Sequence, residues 1–189
     1  YTTGVSDLLP LEKHMKMMLT FNSNIERLGI MYNPGEANSK VLVETMKKLA
    51  GKLGIKIIDG TATKTSEVYQ AAKSLIGKAD AVFIPTDNTI VSGLESAIKV
   101  GVQYKLPIYA GDVDSVKRGA VAAMGFNYYK HGYQTGAMAK KILEGANPGD
   151  ISVEFQKELE LHINTKYAEL MGVTPPQSLL KKADKVYDK

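Results

Sequence analysis

Three short segments of this chain concentrate side chains able to hold a small polar molecule. Residues 33–39 read Asn-Pro-Gly-Glu-Ala-Asn-Ser, residues 85–89 read Pro-Thr-Asp-Asn-Thr, and residues 111–115 read Gly-Asp-Val-Asp-Ser. Three of their carboxylates, Glu36, Asp87 and Asp112, could gather on one edge with Asn38, Ser39, Thr86 and Asn88 beside them. The set is rich in hydrogen-bond acceptors and poor in fixed cations, Lys40 being the nearest basic group. Carboxylates and amides suit a ligand carrying an ammonium group, a sugar or another polyol. A phosphate would call for a glycine-rich nest or basic side chains. Neither G-x-G-x-x-G nor G-x-x-x-x-G-K-[ST] occurs, so no nucleotide cofactor is expected.

Catalysis finds little support. A G-x-S-x-G elbow is absent, and no Ser-His-Asp arrangement suggests itself. A phosphoacceptor aspartate would need a paired acidic cluster after the first strand and a lysine after a late one, and neither is evident. His14, His131 and His162 lie far apart without ligand spacing, and there is no cysteine. No enzyme activity, metal or other cofactor is expected. Helix capping competes with ligand binding at several positions. Asn38 or Ser39 could cap the helix that follows, as could Asp87 or Asn88 for the next, and Asp114 with Ser115 for a short turn. Glu36 reads equally as a solvated loop residue. Asp112 is harder to dismiss as a cap, because Gly111 already makes the turn. Each signal is weak alone, and their common position is the argument.

That position comes from the elements around them. Apolar residues recur at helical spacing in Leu11–Leu19, in 38–51 (Leu42, Met46, Leu49), from Ser66 (Val68, Ala72, Leu75, Ile76) and from Ile90 to Gly101. Between them lie short apolar runs at Arg27–Tyr32, Ile55–Asp59, Ala81–Ile84 and Pro107–Ala110. Strand and helix thus alternate with short loops, the pattern of an α/β fold with a parallel sheet and crossover helices. Each of the three polar segments directly follows a strand. In an open sheet of this kind, ligands bind beyond the carboxyl ends of the strands.

After Gly111 the pattern loosens. A strand is expected over 120–126, and a helix over 129–143 with Gly132 and Gly136 four apart for close packing. The alternation of Leu159, Leu161 and Ile163 predicts a half-exposed strand. A short helix at 165–171 and an amphipathic segment after Pro175-Pro176 complete the chain.

Composition narrows the class. With 44% hydrophobic and 23% charged residues, the chain is an ordinary globular protein. No apolar run is long enough to span a bilayer. The net charge of +4 is spread as lysines beside acids, not as a stripe, so nucleic acid is not expected as a partner. The opening Thr2-Thr3-Gly4-Val5-Ser6-Asp7 reads as a loop inside a domain, so the chain is expected to be a piece of a longer one, with any targeting segment upstream.

The stretches RLGIMYNPGEANS, PTDNTI, AGDVDSVKRGAVAAMGFNYYKHGYQTGAMAKKILEGANPGDI and ELELHINTKYAELMGVTPPQSLLKKADKVYD resemble the solute-binding proteins of ABC importers of the tryptophan/tyrosine type. The resemblance covers nearly the whole chain and implies a type I periplasmic-binding fold, in which two Rossmann-like lobes close on a ligand about a hinge. It implies residues 1–24 as lead-in and hinge helix, 25–118 as a complete second lobe, 119–150 as a segment returning to an incomplete first lobe, and 151–189 as the crossover back and C-terminal segment. It further implies an extracytoplasmic protein, a lipoprotein by type, that binds an amino acid, aromatic ones included, and delivers it to a membrane permease. Asp87 and Asp112 would then meet the ligand ammonium, assisted by Asn88 and Thr86, with Asn38 and Ser39 at a helix tip and Glu36 on the rim. A sensory or regulatory ligand-binding domain of the same fold is the competing reading. A fragment lacking one lobe is expected to be prone to self-association through the uncovered face.

Overall fold

The computed structural model describes residues 2–156 and 158–188. In chain order the elements are β1 (Val5–Ser6), α1 (Leu11–Phe21), β2 (Arg27–Tyr32), α2 (Ala37–Lys52), β3 (Lys56–Thr61), α3 (Val68–Lys73), β4 (Ala81–Ile84), α4 (Asn88–Ser92), α5 (Leu94–Tyr104), β5 (Ile108–Ala110), α6 (Asp114–Lys117), β6 (Ala122–Gly125), α7 (Tyr128–Leu143), β7 (Glu154–Phe155), β8 (Glu160–Asn164), α8 (Thr165–Leu170), α9 (Gln177–Leu180) and β9 (Lys185–Tyr187). Seven strands form one sheet in the order β3-β2-β4-β5-β6-β8-β9. All its pairings are parallel except β6 with β8.

The sheet is the α/β architecture expected from the alternation. Its central strands are buried along their whole length because helices cover both faces: Ala81, Val82, Phe83 and Ile84 of β4 and Ile108, Tyr109 and Ala110 of β5 are all core residues. From β2 the chain passes to β3 on one side and then to β4 on the other. The strand order therefore reverses between β2 and β4, and the loops after these two strands open a crevice at that point.

One expected helix is two. Gly93 ends α4 and α5 begins at Leu94, because α4 closes onto the turn before α3: a Cβ on Gly93 would stand 2.9 Å from Val68 Cγ2 and 3.0 Å from Thr65 Cγ2.

Several C-terminal expectations are corrected. Residues 119–126 do not leave the main sheet: β6 pairs with β5, and the excursion starts only at Asn127, where α7 leads to β7. β7 pairs with β1 in a separate two-stranded sheet, parallel, with Val5 opposite Glu154. Gly132 and Gly136 have no close packing partner among the described residues, since a Cβ at either would meet nothing within 4 Å. Met138 is the buried residue of α7, while Tyr129 is 85% exposed and Tyr133 77%. β8 is buried from Leu161 to Asn164 instead of half-exposed, because it lies between β6 and β9. β9 itself, Lys-Val-Tyr, was unexpected: a three-residue edge strand opened by a lysine carries little hydrophobic pattern.

Candidate functional site

The polar segments after β2 and β4 meet at the strand-order switch and are tied together by carboxylates. Asp87 caps α4, its Oδ1 accepting the Ile90 amide at 2.8 Å. Its Oδ2 reaches across to the other loop and accepts from the Asn33 amide at 2.7 Å and the Ser39 hydroxyl at 2.7 Å. Asp87 and Ser39 both have no accessible surface. Both carboxylate oxygens of Asp87 are thus engaged within the protein. A buried carboxylate is retained only where donors surround it, and these three donors come from the protein itself.

Glu36 makes the reciprocal tie. Its Oε2 accepts from the Asn88 amide at 2.9 Å and Asn88 Nδ2 at 2.8 Å; its Oε1 accepts from the Thr89 amide at 3.0 Å and the Thr89 hydroxyl at 2.7 Å. One loop's carboxylate thus sits on the first turn of the helix that the other loop begins. Desolvation raises the Glu36 pKa, but the donors from Asn88 and Thr89 outweigh it and hold the carboxyl below its ordinary value. Asn38 adds a third link, its Nδ2 donating to the Thr86 carbonyl at 2.9 Å. Asn33 closes the set: its Oδ1 accepts the Gly35 amide at 2.8 Å, and its Nδ2 donates to Thr89 Oγ1 at 2.9 Å. Sequence reasoning counted Asn33 only as the start of the turn. Its signal was the Asn-Pro-Gly itself, since an Asn two residues before a glycine makes such a turn.

Asp112 is different. It follows β5, caps α6 by accepting from the Ser115 amide at 2.8 Å and hydroxyl at 2.7 Å, and remains only partly buried. Gly111 before it is closely packed: a Cβ there would lie 2.6 Å from Leu9 Cδ1 and 3.3 Å from the Thr86 amide nitrogen. The segment leading into α1 is thereby seated directly under the rim.

A small depression of about 240 Å³ opens here, lined by Thr86, Asn88, Val91, Ser92, Asp112 and Tyr128 with Asp87 at its floor. Of the seven residues expected at the site, Thr86, Asn88 and Asp112 reach this depression, Glu36 and Asn38 brace its wall, and Asp87 and Ser39 lie beneath. Tyr128, at the start of α7, was missed. Reading the residues after each strand would have found it, had β6 been placed in the sheet. Burial first, and then the negative charges of Asp7 and Asp112, push its phenol pKa upward. The rim is consequently acidic with one half-exposed aromatic ring, an environment suited to a cation carried on an apolar body. Among the described residues, no group of His, Cys, Asp and Glu could hold a metal ion, and no helix is long and apolar enough to cross a membrane.

Known proteins resemble this chain in sequence and fold. The sequence matches the family described as ABC transporter substrate binding protein over residues 1–187. It is similar to a "Tyrosine-binding protein" of Clostridioides difficile, 38% identical over 162 residues that cover 86% of this chain and 47% of that protein. Among solved structures, a conserved domain protein from Vibrio cholerae superimposes with a TM-score of 0.92 at 38% identity, covering 97% of this chain and 62% of that one. An ABC domain from Streptococcus pneumoniae in complex with L-Trp superimposes with a TM-score of 0.88 at 33% identity, covering 97% of this chain and 64% of that one. The chain spans about half the length of the curated relatives it matches. With a mostly parallel sheet of type I periplasmic-binding form and a family match along nearly its whole length, the chain belongs to the ABC transporter substrate-binding protein family.

Proposed function

We propose that this chain forms one wall of an amino-acid receptor and that its ligand carries an aromatic or similarly apolar side chain. The observation that carries the reading is the acidic depression at the strand-order switch, where Asp112 and Tyr128 face the same small space as Thr86 and Asn88. Asp112 accepts from the ligand ammonium, Tyr128 packs against its apolar part, and Thr86 and Asn88 complete the polar contacts. Asp87, Ser39, Glu36 and Asn38 act as positioning residues that hold the two loops in register. The L-Trp complex and the tyrosine-binding relative support the ligand class.

In this reading the seven-stranded sheet is the core of one lobe, while β1, α7 and β7 belong to the other. The three passages between them, before α1, after β6 and after β7, form the hinge. Ligand touched by both lobes stabilises the closed state over the open one. The closed, loaded receptor is delivered to a membrane permease outside the cytoplasm. The exposed apolar residues Tyr129, Tyr133, Leu143 and Phe155 lie on the part assigned to the other lobe, and a form lacking their cover self-associates.

The test is a thermal-shift and calorimetric panel of amino acids, sugars and nucleosides against a form of the protein containing both lobes. Stabilisation by Trp, Tyr or Phe alone supports the reading. Stabilisation by sugars or nucleosides and not by amino acids overturns it.

A further inference from the structure

A second concavity lies away from the rim, between α1, β8 and α9. It encloses about 480 Å³. Its floor is apolar: Met17 and Leu161, 2% and 5% exposed, lie deepest, with Met124 and Leu179 beside them. Its edge carries three exposed lysines, Lys13 and Lys16 from one side and Lys182 from the other. None of the three makes an ion pair among the described residues.

The acids nearby are already engaged. Asp184, the one acid lining the groove, accepts the Leu161 amide at 2.8 Å. In the adjoining depression Glu158 is paired with Lys130 at 2.9 Å, and Glu160 accepts from Asn127 at 2.9 Å and contacts His162 at 3.2 Å. The groove therefore offers an apolar trough whose edge carries three lysines against one carboxylate, a net positive charge. Polar groups at an edge and apolar groups at the base are complementary to a molecule with an anionic head and an apolar tail. Two methionines in the lining suit a tail of variable shape, because the thioether side chain repacks easily.

We infer that this groove is a binding site for an amphipathic carboxylate, with the head held by Lys13, Lys16 and Lys182 and the tail laid over Met17, Met124 and Leu179. A bilayer surface fits less well, since the deepest floor residues, Met17 and Leu161, are almost fully buried while a membrane meets a protein on its outermost atoms. The inference stands apart from the amino-acid site, with which the groove shares no residue.

The experiment is titration calorimetry of the chain with dodecanoate below its micelle-forming concentration, beside dodecyl maltoside and phosphatidylglycerol vesicles. Saturable one-to-one binding of dodecanoate is expected, with no binding of the neutral maltoside. Affinity should fall by about tenfold in the K13Q/K16Q/K182Q variant and weaken with rising salt. The three lysines are exposed, so the variant should melt as the parent does, and a Lys99→Gln control should bind dodecanoate normally. Absent dodecanoate binding, equal binding of the maltoside, equal affinity in the triple variant, or binding to vesicles alone would each overturn the assignment. Binding of aromatic amino acids is read separately and should be unchanged in the triple variant.

Discussion

The Ser39 hydroxyl donates to Asp87 Oδ2 at 2.7 Å in a place that no solvent reaches. The loop after β2 and the loop after β4 are joined there by one buried carboxylate with three donors. Replacing Asp87 by Asn would turn an NH₂ group toward donors from Asn33, Ser39 or Ile90 and leave at least one of them unmet. Asp87→Asn should cost about 2–4 kcal/mol of stability and Ser39→Ala about 1–2 kcal/mol. Denaturant unfolding measures both. A Ser39→Ala loss below a few tenths of a kcal/mol would mean that the bond is not contributing.

Glu36 stabilises the same junction from the accessible side, and its effect depends on pH. Its pKa is held below the ordinary value in the folded protein, so on acidification the unfolded chain takes up this proton first. The contribution is complete above the ordinary carboxylate range and disappears as pH falls through the depressed folded value. Glu36→Gln should therefore lower stability at neutral pH and narrow its difference from the parent in acid. Melting curves across that range give the comparison.

His14 sets a second pH window. It lies on α1 with no accessible surface, its ring tilted against Phe83 at 5.4 Å and its Nδ1 3.1 Å from the Pro10 carbonyl. Desolvation lowers its pKa below 6.5, with backbone carbonyls opposing in part. Below that pH the unfolded chain protonates while the folded one resists, so stability declines before the carboxylates titrate. His14→Gln should remove the loss measured in mildly acidic buffers, whatever it does to stability at neutral pH.

At the rim, Asp112→Asn keeps oxygen and nitrogen atoms available to Ser115 and so preserves the α6 cap, while removing the charge. In a two-lobed form it should weaken amino-acid affinity by about 1–3 kcal/mol with little change in melting temperature. Tyr128→Ala should weaken aromatic ligands more than aliphatic ones. Calorimetry with Trp and Leu separates the two effects, and unchanged affinity in both variants would remove these residues from the site.

Gly111→Ala would force a methyl group against Leu9, 2.6 Å from its Cδ1. About 1–3 kcal/mol should be lost. Leu9→Ala removes the clashing atom, so the double variant should lose less than the sum of the singles. Strict additivity in such a cycle would argue that Leu9 and Gly111 do not press on one another.

Much of this architecture was legible in the sequence, for a physical reason. Strands such as Ala81–Ile84 are buried on both faces, so their apolar runs are unbroken, and the intervening helices carry a one-sided stripe. The common position of the Glu36, Asp87 and Asp112 segments followed from topology alone. Their division of labour did not. An aspartate that caps a helix from inside the fold and one that caps from its rim have the same local sequence, and burial is decided by chain far away. Asp87 lies under the Asn33 loop with no accessible surface, whereas Asp112 is only partly buried. The region past Gly111 was hardest to read, because β6 and β8 pair antiparallel across an excursion through α7 and β7.

That late pairing has a consequence for how the protein is made. As the chain leaves the ribosome, β2 to β6 can assemble in order, yet β6 then presents a bare hydrogen-bonding edge until α7 and β7 have been synthesised and β8 arrives beside it. The interval is one in which a neighbouring nascent chain could add to that edge, and the long sequence separation makes its closure slow.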